Sequence, residues 1–131
     1  MATGFDKHFA QLGITQAQFR VLLAVWQKSS EDGITPSALA DYLLIERGTV
    51  SILTNQMVEQ GWLTRKPGKN RRTYWLALTE AGGQLLQKVI PRAITLADHT
   101  LSGISQEQLR QMRTNLELIE AKLRVYTPFD E

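Results

Sequence analysis

Five cations, Arg65, Lys66, Lys69, Arg71 and Arg72, fall within residues 60–79, and that stretch has no acid. The other 111 residues carry 10 cations and 13 acids, a net of −3. A local basic segment on a slightly acidic body is what a phosphate-binding tip requires; taken alone, it also fits a solubilising surface loop. Just upstream, Arg47, Gly48, Thr49, Ser51, Ile52, Asn55 and Gln56 recur at helical spacing on the side opposite Val50 and Leu53. These residue types can read a major groove. Arginine pairs with guanine, asparagine and glutamine pair with adenine, and an apolar group touches a thymine methyl. Thr49 and Ser51 suit phosphate oxygens, and Ser37, in the preceding helix, belongs to the expected DNA-binding set. Gly48 leaves the helix start open to a phosphate. Arg65, Lys69, Arg71 and Arg72 complete the expected DNA-binding set, the last two reaching a narrow minor groove.

Other chemistry is poorly supplied. The 131 residues contain no cysteine, so thiolate metal sites, Cys nucleophiles and thiol redox sensing are excluded. The two histidines, His8 and His99, are far apart in sequence, which argues against a His-based zinc or catalytic site. No base–orienter–nucleophile set is suggested, so an enzyme is not expected, and no cofactor is needed. The net charge of +2 is too small to announce a nucleic-acid partner without the distribution above. No apolar run approaches membrane-spanning length, and residues 1–13 lack a signal pattern, so the cytoplasm is the expected location.

The elements that position these residues read as follows. A short helix is expected over 5–12. Thr15 and Gln18 form a capping box for a helix to about Lys28, with Phe19, Leu22, Leu23 and Trp26 on its apolar face. Thr35-Pro36 starts a helix that buries Leu39, Ala40 and Leu43. A third helix runs from about Arg47 and stops at Gly61. Residues 62–66 and 73–78 are β-rich, and the turn 67–70 between them makes a hairpin with a basic tip. The three tryptophans read as core or hairpin packing. Thr79 caps a helix to about Leu101, with a kink expected at Pro91. Ser105 and Gln108 open a last helix in which Leu109, Met112, Leu116, Ile119 and Leu123 are spaced 3, 4, 3, 4, as in a coiled-coil seam. That seam suits a second copy of the chain; packing within the chain is the alternative.

A helical pair followed by a hairpin is the winged helix-turn-helix order, with Ala40 at the small crossing position of the pair. The expected fold is therefore mainly α with a small β-hairpin wing and a helical dimerisation region.

At this point the sequence resembles the MarR family of transcriptional regulators. Ile14-Thr15-Gln16-Ala17-Gln18-Phe19-Arg20-Val21-Leu22 is similar to the family's LTxxQFxVL helix. Leu39-Ala40, Gly48-Thr49-Val50-Ser51 and Gln60-Gly61-Trp62-Leu63-Thr64-Arg65 resemble its later motifs. Asn70-Arg71-Arg72, with Leu78-Thr79-Glu80-Ala81-Gly82, resembles its wing signature. The resemblance covers residues 14–125 in order. It implies one MarR-like domain over 1–131, with a winged lobe at 14–82 and a dimerisation region made of 1–13 and 83–131. It further implies a homodimeric repressor on a pseudo-palindromic double-stranded operator, with release by a small aromatic or anionic effector. The chain departs from the family in three places. Asn70 stands where the family has an aspartate that holds an arginine; the wing loop is about one residue shorter; the N-terminal helix is short. A winged-helix interaction module that does not bind DNA is the alternative from another class.

Overall fold

The computed structural model describes residues 7, 9–70 and 72–126. The chain divides into two compact units, Met1–Leu96 and Ala97–Glu131. Described residues from 14 onward form α1 (Gln16–Lys28), α2 (Pro36–Leu43), α3 (Arg47–Glu59), β1 (Leu63–Pro67), β2 (Tyr74–Leu78), α4 (Glu80–Thr100) and α5 (Gln106–Arg124). No helix among the described residues is long and apolar enough to cross a membrane.

Side-chain chemistry explains the helix starts. Thr15 accepts from the Gln18 N–H and Gln18 Oε1 accepts from the Thr15 N–H, both at 3.0 Å, so α1 begins with two otherwise orphaned donors satisfied. Ser105 and Gln108 repeat the device at α5. Thr35 Oγ1 takes the Ala38 N–H, with Pro36 in the first turn of α2.

The core of the first unit gathers Val21, Leu22, Val25, Leu39, Ala40, Val50, Met57, Leu63, Leu76, Leu86 and Val89, all buried. Phe9 also belongs to it, stacked on Phe19 with ring centroids 5.1 Å apart. The rest of the expected 5–12 helix lies partly outside the described residues. On α1 the buried face is turned by one position from the expected one. Val21, Leu22 and Val25 are buried, while Phe19 and Leu23 are half-buried and Trp26 is 56% exposed. Trp26 is therefore not a core residue. The helix packs against α2, α3 and β2 together, and these elements cover the Val21–Val25 side.

The hairpin is antiparallel, with Leu63 opposite Leu78 and Arg65 opposite Leu76. Among the described residues, one extra bridge ties it to the segment before α2. The Ile34 N–H donates to the Leu76 carbonyl at 2.9 Å, and the Leu76 N–H returns to Ile34 at 2.8 Å. This bridge joins the segment between α1 and α2, for which the sequence gives no strand pattern. Gly33, at φ +115°, lets the backbones meet, because a Cβ there would lie 2.3 Å from the Leu76 oxygen.

Helix α4 starts on Thr79, whose Oγ1 accepts from the Gly82 N–H and donates to the Gly61 carbonyl. The Thr79 N–H donates to the Trp62 carbonyl at 3.1 Å, so the start of α4 is held to the end of α3. The helix runs without a break through Pro91.

Gly82 and Gly83 make a paired test of that junction. A Cβ on Gly82 would stand 2.1 Å from the Trp62 oxygen, whereas a Cβ on Gly83 meets nothing within 4 Å. Gly82→Ala is expected to destabilise by about 1–3 kcal/mol, the usual cost of overpacking. Gly83→Ala is expected to stabilise by about 0.5–1 kcal/mol, since alanine replaces glycine inside a helix. Urea midpoints of the two variants against the parent check both signs.

Candidate nucleic-acid interface

The turn between α2 and α3 is tight. Leu44 closes α2 in the left-handed conformation (φ 56°), and the Ile45 N–H reaches back to the Ala40 carbonyl at 3.2 Å. Ala40 is buried. On α3, Val50, Thr54 and Met57 are buried and Leu53 is half-buried against the core. Thr54 was not singled out in the sequence. Its hydroxyl is buried because it donates to the Val50 carbonyl one turn back, at 2.8 Å, so a polar residue occupies an inner position at little cost. A threonine four residues after an inward valine was the available signal.

That inner face leaves the outer one free. Arg47, Gly48, Thr49, Ile52, Asn55 and Gln56 are exposed and Ser51 is half-buried. Ile52, the large aliphatic side chain of this face, is 63% exposed. The start of α3 carries no side-chain cap, and nothing lies within 4 Å of a Cβ built on Gly48, so backbone N–H groups there stand open. Ser37, half-buried, sits in the first turn of α2.

The wing tip is shaped by its own hydrogen bonds. The Gly68 N–H donates to the Thr73 carbonyl at 3.1 Å, and the Thr73 N–H donates to the Asn70 carbonyl at 3.3 Å. Asn70 Oδ1 accepts the Arg72 N–H at 2.8 Å, so the amide in place of the family aspartate folds the tip through a backbone bond. A Cβ on Gly68 would fall 2.5 Å from Thr73 Oγ1 and 2.7 Å from the Thr73 carbonyl oxygen, which keeps the turn narrow. Arg65, Lys66, Lys69 and Arg72 are exposed. Arg71 lies outside the described residues, as does His8.

Helix α3 and the wing also touch directly. Arg65 Nη2 donates to Asn55 Oδ1. The same guanidinium carbon stands 5.4 Å from the centre of the Tyr74 ring, a cation–π approach. From sequence, Arg65 reads as a backbone contact and Asn55 as an independent base reader. Instead they form one unit, which spacing alone does not reveal because the two residues belong to different elements.

The seam residues of the last helix are likewise at the surface of the single chain. Leu109 is half-buried, while Met112, Leu116, Ile119 and Leu123 are 42–65% exposed. No residue of α5 is buried.

A tightly joined helical pair, a free polar outer face and a hairpin with a basic tip define a winged helix-turn-helix. A family model for the MarR family matches residues 12–73. The chain is 30% identical over 107 residues to the organic hydroperoxide resistance transcriptional regulator of Bacillus subtilis (strain 168), covering 81% of this chain and 69% of that protein. A solved MarR transcriptional regulator from Methanosarcina mazei Go1 superposes with a TM-score of 0.77 at 30% identity, covering 93% of this chain and 87% of the other. A mutant MarR from Escherichia coli, complexed with operator DNA, has the same fold, with a TM-score of 0.77 at 21% identity over 88% of this chain and 81% of the other. The chain belongs to the MarR family of transcriptional regulators. It is a DNA-binding regulator and not an enzyme.

Proposed function

We propose that this chain is a homodimeric repressor that binds a pseudo-palindromic double-stranded operator in the cytoplasm and occludes a promoter. The observation that carries the reading is the free outer face of α3 beside a wing whose exposed side chains are cationic. Residues 14–82 serve as the reading lobe. Arg47, Ile52, Asn55 and Gln56 face base edges in the major groove, Ile52 against a thymine methyl. Ser37, Gly48, Thr49 and Ser51 hold phosphates. Arg65, Lys69, Arg71 and Arg72 act from the wing, the last two in the minor groove. A relative solved in complex with operator DNA shares this fold.

Residues 1–13 and 83–131 serve as the dimerisation region. The stripe Leu109, Met112, Leu116, Ile119 and Leu123 supports it, because apolar side chains at a 3, 4 repeat on an exposed helix face call for a partner helix. Two linked readers gain affinity through effective concentration. The releasing effector is a small aromatic or anionic molecule. With no cysteine in the 131 residues, its signal is carried by binding and not by thiol oxidation.

Selection from fragmented genomic DNA at low and moderate salt tests the function. Enrichment of a palindrome with half-sites about 10 base pairs apart, centre to centre, is expected. Retention of no duplex at either salt would instead favour an interaction module with a winged fold. A thermal-shift screen with aromatic carboxylates tests the effector, since a specific ligand must raise the melting temperature of the state it prefers.

Two variants check the parts separately. Arg72→Ala should weaken binding on every sequence and flatten the dependence of log affinity on log salt by about one unit, the value of one phosphate contact. An unchanged slope removes Arg72 from the interface. Leu116→Glu should convert the dimer to monomer in sedimentation at micromolar concentration while leaving the helical content intact. A variant still dimeric would move the interface away from α5.

A further inference from the structure

The Asn55–Arg65 pair bears on which base is read. An amide side chain has one acceptor oxygen and a donor NH2 group. Pairing with adenine uses both: the oxygen accepts from N6 and the NH2 donates to N7. Here one of the oxygen's two lone pairs is taken by Arg65 Nη2. An adenine N6 amine on the other lone pair would bring its partly positive hydrogens beside the guanidinium cation, which disfavours that pairing. What remains to Asn55 is its NH2, and beside it stand the unused N–H groups of Arg65, a side chain with five donors and no acceptor.

Arg65 is held in this role from behind. It lies opposite Leu76 on the hairpin, so Tyr74 is its diagonal neighbour and lies under the guanidinium at 5.4 Å. β2 is in turn bonded to Ile34. The guanidinium is thus carried by β1, the strand paired to this braced one, and reaches across to α3.

We propose that Arg65 is a specificity-determining residue that locks the Asn55 amide with its oxygen turned away from DNA, so that the pair presents donors only and selects guanine. Guanine is the base whose major-groove edge offers two acceptors, N7 and O6, and no donor. Adenine and cytosine each place an amine there, and thymine offers one acceptor beside a methyl group. Without Arg65 the amide is free to turn, and the asparagine recovers the adenine pairing its type favours. The inference rests on the DNA-reading role proposed above.

The test is selection of random duplexes by the full chain and by Asn55→Ala, Arg65→Met and Arg65→Ala, with melting curves to confirm that each variant is folded. The parent is expected to prefer guanine, roughly five- to a hundredfold, at the position where Asn55→Ala abolishes preference. Both Arg65 variants are expected to prefer adenine at that same position and to leave the rest of the operator unchanged. Adenine at that position in the parent overturns the inference and leaves the DNA-reading function standing. So does guanine retained in the Arg65 variants, or guanine lost with no adenine in its place. A parent that enriches no sequence overturns the DNA-reading function, and the inference falls with it.

Discussion

Two backbone hydrogen bonds between Ile34 and Leu76 tie the hairpin to the segment that leads into α2. A two-stranded hairpin is marginal in water when nothing covers it. Ile34 pairs one edge of this one, and the buried Leu63 and Leu76 place one face of it in the helical core. The strand that carries Tyr74 therefore cannot swing away from α2. Through Tyr74 and Arg65 that fixed position reaches the outer face of α3. The Asn55–Arg65 contact on that face is thereby backed by buried backbone and not by exposed side chains alone.

The junction at Thr79 works in the same way. One hydroxyl caps α4 and also bonds the carbonyl of Gly61, the residue that ends α3. Gly82 allows the Trp62 backbone to press against the first turn of α4. The start of α4 is thereby tied to the end of α3.

Much of this was legible in the residues. Hydroxyl caps at Thr15, Thr35 and Ser105 marked helix starts because their chemistry is local. Gly61 and the turn at Pro67-Gly68 marked stops for the same reason. The outer face of α3 followed from periodicity. What escaped was decided across space. The Ile34 bridge is one residue long and has no pattern to betray it. Trp26 sits at helical spacing with Phe19 and Leu22 but is exposed, because three elements crowd the adjacent side of α1. The Asn55–Arg65 pair depends on how the hairpin lies against α3, which neither segment encodes by itself.

The narrow turn at Gly68 carries an implication for how such a regulator diversifies. No side chain fits at 68 without pushing on Thr73, and the Asn70 amide is committed to folding the tip. On the DNA-reading role proposed above, grip on DNA is then adjusted through exposed cations such as Lys69 and Arg72 and not through the shape of the turn.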